Sequence, residues 1–328
     1  MPKRTITDLR ALQGLPIETL ELWFIEKVTE FLEFCEKNGV PAYNSFSGGL
    51  DSTLVRHLLE KHFPGAMPHV FSNTGMEFNA IVRFAKSRKG TVEIRPKMNF
   101  REVVEKTGFP AISKLVARSV HDLQNPTERN VATRKLRSTG IKRDGTLSKG
   151  GRLPLRWQRL VRGPRLGSAC CDILKKEPLK RYAKENGGSL PIIGVRAEES
   201  KGREEAWLSS GCNALTNKTP ACYPLMVWTG QRVLEYLKRY DVEYCREIYG
   251  EIVEVGGKLK TTGESSTGCV VCLVGCQFDP MRYVRLYHLD QKKHEYCMDA
   301  GAREVLEYLG LPAYPGQHET AQLFADAP

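Results

Sequence analysis

Ser47-Gly48-Gly49-Leu50-Asp51-Ser52 joins a short apolar stretch, residues 42–46, to a segment with helical spacing, residues 52–61. A strand that turns through two glycines straight into a helix leaves few folds open. It gathers backbone N–H groups and a helix N-terminus around one concavity, where phosphate oxygens are stabilised. Gly48 and Gly49 permit backbone angles closed to other residues and let a ligand approach without a Cβ in the way. The Ser47 and Ser52 hydroxyls can donate to such oxygens. Asp51 suits a helix start, or a Mg²⁺ ion held beside the phosphates. No Gly-Lys-Ser/Thr follows, so this is not a Walker A loop.

The surroundings repeat the pattern. A helix is expected over residues 18–36, then strand 42–46, helix 52–61, strand 69–72, helix 77–87, strand 91–95, a helix starting near Asn99, and strand 190–195. Alternation of this kind predicts an α/β fold, a doubly wound, mostly parallel sheet with ligands at the carboxyl ends of its strands. Residues 1–40 are expected to form an N-terminal helix. A nucleotide-binding domain is expected over 41–250 with a basic insertion over about 108–168, and a helical, cysteine-containing C-terminal region over 251–328. Further helices are expected at 230–239, 281–298 and 303–309, with a polar stretch over 256–268. Pro178 is expected to start a new helix after a short one capped by Ser168.

Charge is unevenly spread. Of a net +11, residues 118–165 carry thirteen Lys/Arg against Asp122, Glu128 and Asp144, so nearly all the excess lies in one segment. Such a segment suits a polyanion, with Trp157 available to stack on a base; a solvated basic loop is the alternative. No run approaches the roughly 20 apolar residues that span a bilayer, and the start of the chain lacks an apolar leader. A cytoplasmic protein with no membrane partner is expected.

Ten cysteines in such a setting favour metal or redox chemistry over disulfides. Cys269-Val270-Val271-Cys272 has the gap that lets a turn present two thiolates to one metal centre. Cys170 and Cys171 are adjacent, and on a helix their side chains diverge by about 100°, which a large cluster accepts more easily than one tetrahedral ion. A 4Fe–4S cluster on Cys170, Cys171, Cys269 and Cys272, a structural zinc, and a reduced or redox-active thiol set all stay open. Lys175 and Lys176 would offset cluster charge. Cys276 is a candidate sulfur carrier, spare ligand or buried thiol. Cys35 and Cys245 read as packing residues, and His288 and His294 as surface or capping residues.

Two more groups fall at strand ends: Asn73-Thr74-Gly75-Met76-Glu77, and Gly194-Val195-Arg196-Ala197-Glu198-Glu199-Ser200. Arg196 and Arg203 suit bidentate pairing with phosphate or sulfate. Glu198 suits a helix cap or the orientation of Arg196.

Taken in order with Cys170-Cys171, Lys176-Glu177-Pro178-Leu179, Tyr223-Pro224-Leu225, Trp228-Thr229 and Cys269–Cys272, these motifs give a chain that resembles the phosphoadenosine phosphosulfate (PAPS) reductase family over roughly residues 41–309. That family lies within the N-type ATP pyrophosphatases. The resemblance implies an adenine nucleotide alpha hydrolase-like fold. Ser47, Gly48, Gly49, Asp51 and Ser52 would grip phosphates, and Asn73, Thr74, Gly75, Glu77, Gly194, Arg196, Glu198 and Arg203 would complete the pocket. It also implies a 4Fe–4S cluster like that of adenylyl-sulfate (APS) reductases. The pattern is similar as well to the sulfur-inserting enzymes of DNA phosphorothioation and tRNA thiolation. Nothing after Cys272 matches the Glu-Cys-Gly-(Ile/Leu)-His nucleophile motif of the sulfonucleotide reductases, and Asn73 and Leu50 stand where many relatives have Asp and Lys.

Three functions follow. The first is ATP-dependent sulfur transfer to tRNA or DNA held by residues 118–165, with Asp51, Arg196 and Cys276 as catalytic groups and a donor such as a cysteine desulfurase. The second is an APS or PAPS reductase forming sulfite with thioredoxin. The third is a non-enzymatic sensor of nucleotide and nucleic acid.

Overall fold

The computed structural model describes residues 4–148 and 150–317. Described residues within Met1–Asn73, Asn79–Arg95 and Pro178–Thr267 form one compact unit; those within Thr74–Phe78, Pro96–Glu177 and Gly268–Pro328 form a second.

The first unit is α/β. Its sheet contains β1 (Ala42–Phe46), β2 (His69–Ser72), β3 (Thr91–Ile94) and β4 (Leu190–Ile193), all parallel, in the order β3-β2-β1-β4. β1 and β2 are almost continuously buried, as strands covered on both faces are. Between them Asn44 Nδ2 lies 2.9 Å from His69 Nδ1, while the buried Asn44 Oδ1 has no hydrogen-bond partner. Helix α1 (Ile6–Gln13) starts at a Thr5–Asp8 capping box and is followed by α2 (Ile17–Lys37). In α2, Leu20, Phe24, Val28, Phe31 and Cys35 recur at three or four residues and are buried, the stripe a helix needs to pack. Helices α3 (Leu50–His62) and α4 (Asn79–Ser87) follow β1 and β2. Strand order reverses at β1, which puts the topological switch point between the carboxyl ends of β1 and β4.

A hairpin of Ile252–Val255 and Lys258–Thr261 also belongs to this unit. It turns at Gly256-Gly257, both at positive φ, and occupies part of the stretch read as merely polar.

The second unit is mainly helical, around Phe100, Val103, Phe109, Leu160, Leu166, Tyr283 and Leu306. A two-residue parallel pair, Ala111–Ile112 with Leu273–Val274, ties its segments together. The basic segment is more regular than its turn-rich composition suggests, with helices Lys114–Gln124 and Val131–Thr139 and a 3₁₀ helix Leu155–Arg162. Lys149 lies outside the described residues.

Four readings are corrected here. Trp157 is buried at 4% exposure and is not free to stack on a base, because residues three apart share one face of a 3₁₀ helix and Trp157 and Leu160 make the inward one. Residues 281–298 are two helices, Arg282–Leu289 and Gln291–Cys297, because Asp290 leaves helical geometry and its carboxylate accepts from Lys293 N–H as the second helix's cap. His294 is fully buried rather than at the surface. Pro178 starts no new helix: a π-helical turn, Asp172–Lys176, leads into Glu177–Glu185, and the wider turn accommodates a proline that has no N–H to donate. No helix among the described residues is long and apolar enough to cross a membrane.

Candidate functional site

In the first unit the loop after β1 forms the expected cradle. Gly49 N-caps α3 with no side-chain cap. Gly48 has φ +74°, and a Cβ on it would stand 2.9 Å from Ile81 Cγ2, so the turn needs glycine twice over. The serines brace the loop: Ser47 Oγ and Ser52 Oγ are 3.0 Å apart, and Ser52 Oγ donates to Gly49 O at 3.0 Å. A Cβ on Gly49 would meet the oxygens of Ser47, Tyr249 and Thr267 at 3.4 Å. Tyr249 Oη and Thr267 Oγ1 are bonded at 2.6 Å, and the Leu50 N–H also reaches the Tyr249 oxygen. No sequence pattern marked these two residues, because the chain brings them back from 200 residues or more away.

The loop after β4 completes the first-unit arrangement. Gly194 lies against α3: a Cβ there would be 3.1 Å from the Asp51 carbonyl. This close approach places Arg196 beside Asp51, with Nε 2.9 Å from Oδ1. Arg196 also pairs with Glu198, which accepts from Gly230 N–H at 2.5 Å. Arg203 pairs with Glu199. Burial pushes the Asp51 carboxyl up, against the pull of Arg196 and Arg203. A helix N-terminus and two guanidiniums around one loop suit an anion with several oxygens. Asp51 and Glu198 are both engaged by Arg196, so the Mg²⁺ site expected at Asp51 offers no free carboxylate.

Asn73 closes β2 and donates from Nδ2 to Glu93 Oε1 at 2.7 Å. Burial pushes Glu93 up, but Asn73, Arg95 and Lys86 outweigh it and hold the carboxyl at about 2. Thr74, Gly75 and Glu77 belong to the second unit. There the buried Glu77 accepts from the Thr74 hydroxyl at 2.8 Å and from the Thr74 N–H at 3.0 Å, while Lys293 Nζ donates to Gly75 O at 2.6 Å.

The second unit also holds all four paired cysteines. Cys170, Cys171, Cys269 and Cys272 line one cleft of about 300 Å³, with Lys175 and the apolar walls Phe100, Leu174 and Val271. Burial pulls the Lys175 ammonium down, but Cys269 and Glu77 hold it protonated, up to about 12. The Cys170 thiol bonds to Cys171, which lowers Cys171, as do Lys114 and Lys175; Cys170 is raised in turn. Burial raises Cys269 and Cys272. Among the described residues no three His, Cys, Asp or Glu side chains are placed to hold a single metal ion.

The remaining cysteines are packed. Cys35, Cys212, Cys222 and Cys245 are buried in the first unit, as expected for Cys35 and Cys245. Burial pushes the Cys276 thiol up to about 11 and that of Cys297 to about 12. Thiols in that state are almost wholly protonated at neutral pH.

Over 275 residues the chain is 24% identical to an uncharacterized protein of Methanocaldococcus jannaschii, covering 83% of this chain and 51% of that one. The chain thus spans about half the length of this curated relative. A crystal structure of phosphoadenylyl-sulfate (PAPS) reductase from Candida auris, in a phosphate complex, is similar at a TM-score of 0.38 and 14% identity, over 77% of this chain and 95% of that one. The model of the phosphoadenosine phosphosulfate reductase domain matches residues 133–263, a stretch that includes Cys170-Cys171, Gly194, Arg196 and Arg203. Residues 133–263 are thus similar to a phosphoadenosine phosphosulfate reductase domain.

Proposed function

We propose that the chain is an ATP-dependent sulfur-transfer enzyme that holds a 4Fe–4S cluster on Cys170, Cys171, Cys269 and Cys272 and modifies a nucleic acid. The observation that carries this reading is the cleft in which all four thiols meet a buried ammonium. Four cysteine thiols lining one cleft are the soft donor set that an iron–sulfur cluster takes. Lys175 lowers the cost of gathering thiolates there. When bound, such a cluster supplies a site that can hold sulfur or pass electrons.

The cradle's part is nucleotide activation. N–H groups at the start of α3 and the Arg196 and Arg203 guanidiniums would stabilise charge building on the phosphates while an acceptor oxygen attacks the α-phosphorus and pyrophosphate leaves. Sulfide-level sulfur then replaces the adenylated oxygen, which departs with AMP. The exposed arginines and lysines of residues 118–165 suit a nucleic-acid acceptor.

A sulfite-forming reductase is the second reading, favoured by the family match over residues 133–263. It requires a thiolate to attack sulfate sulfur, and the late cysteines Cys276 and Cys297 are buried and protonated. Product analysis separates the two. Anaerobic protein given ATP, inorganic sulfide and nucleic acid should release AMP and pyrophosphate; sulfite release from APS or PAPS with thioredoxin, and no ATP cleavage, would replace the first reading with the second.

A further inference from the structure

The 3₁₀ helix Leu155–Arg162 runs for eight residues, where stretches beyond three or four are uncommon. Its sequence, Leu-Arg-Trp-Gln-Arg-Leu-Val-Arg, has arginine at every third position. At 3.0 residues per turn Arg156, Arg159 and Arg162 stack on one edge, separated by ~6 Å of rise per turn. An α-helix would turn each arginine about 60° from the last. All three are exposed, and among the described residues none has a carboxylate partner; the Arg156 guanidinium lies over the Trp157 ring, 5.2 Å from its centroid. The inward edge, Trp157 and Leu160, is buried, which fixes the outward one. Tyr308 Oη also donates to Arg159 O at 2.8 Å, and the Tyr308 ring lies so close to Gly163 that a Cβ there would come within 2.6 Å of it.

Successive phosphates of one duplex strand rise ~3.4 Å along the axis and, following the winding, stand roughly 6–7 Å apart. The two spacings match. We propose that Arg156, Arg159 and Arg162 form a rigid ladder that docks consecutive phosphates of one nucleic-acid strand. This rests on the nucleic-acid reading above and specifies its contact surface. Three charge-assisted contacts from a pre-ordered backbone would fix the register of the strand without reading its sequence.

The test is salt-dependent fluorescence anisotropy of the full chain with labelled single-stranded DNA, duplex DNA, RNA and phosphatidylserine vesicles. Each of Arg156→Gln, Arg159→Gln and Arg162→Gln should flatten the slope of log K against log salt by ~0.7–0.9, and the triple variant by ~2–3. Arg129→Gln and Lys142→Gln, exposed in the same segment but off the ladder, should change it less. The double change Gln158→Arg/Arg159→Gln keeps the net charge but moves one cation a third of a turn away, and should not restore the slope. If it does restore the slope, or if Arg129 and Lys142 matter as much, the ladder is wrong while nucleic-acid binding stands. If no nucleic acid binds with a salt slope, or only the vesicles bind, the underlying reading fails as well.

Discussion

Gly48 and Gly49 are adjacent, yet the structure assigns them different duties, and alanine at each should separate folding from binding. At Gly48 the chain sits at φ +74°, where a Cβ costs about 1–2 kcal/mol. That Cβ would also press on Ile81, which is fully buried and β-branched, so it cannot swing aside; overpacking of this kind adds about 1–2 kcal/mol. Gly48→Ala should therefore lose about 3 kcal/mol, or roughly 4–5 °C in Tm for a protein of this size. Gly49 has φ −77°, and its nearest neighbours to a new Cβ are oxygens at 3.4 Å, an ordinary contact. Gly49→Ala should cost about 1 kcal/mol or less, the difference between glycine and alanine at an N-cap. Its methyl would instead occupy the approach to the α3 N–H groups, and affinity for a non-hydrolysable ATP analogue should fall at least about tenfold, or about 1.4 kcal/mol. Differential scanning fluorimetry and titration calorimetry read the two effects. A Gly49→Ala protein that binds nucleotide normally would refute the cradle, and a Gly48→Ala protein of unchanged Tm would refute the packing argument.

Acid should destabilise the first unit in two windows. His69 is held neutral, at about 4, chiefly by burial; its folded value lies below the unfolded one, so stability falls as pH drops from about 6.5 towards 4. Glu93, held at about 2, contributes above its ordinary value near 4.5, and that contribution is lost as pH falls from there towards 2. With solvent screening, roughly 1 kcal/mol is expected from Glu93. Urea melts of His69→Gln and Glu93→Gln should be flatter in the upper and lower window respectively; unchanged profiles would contradict the assignments. Trp157→Ala should destabilise the second unit by about 3–5 kcal/mol as a core deletion, whereas Trp157→Phe should leave nucleic-acid affinity as it was. A loss of affinity in a stable Trp157→Phe protein would return the indole to the interface.

The sequence shows the sheet well and the second unit poorly, for physical reasons. β1 and β2 have the predicted bounds, since strands covered on both faces are mostly buried and keep enough apolar residues to stand out between turn signals. Helices Gly230–Arg239 and Arg303–Leu309 have the predicted bounds, and Thr229 and Gly310 cap them at those ends. The break at Asp290 was hidden because the apolar period continues across it. Trp157 was misread because its neighbours are arginines; composition reports charge, whereas burial here follows a three-residue period that only the 3₁₀ geometry reveals. The cradle loop and its arginines were legible from local motifs. Tyr249 and Thr267 were not, since their place over the glycines is a tertiary fact with no local signature.

The four-thiol cleft is the claim on which the functional reading depends most, and the metal and sulfide content of anaerobically purified full-length protein tests it directly. The account predicts about four iron atoms and four acid-labile sulfides per chain with broad absorption near ~400 nm, all lost in a folded Cys170→Ser/Cys272→Ser variant. One zinc per chain, or iron that survives loss of those cysteines, would contradict it.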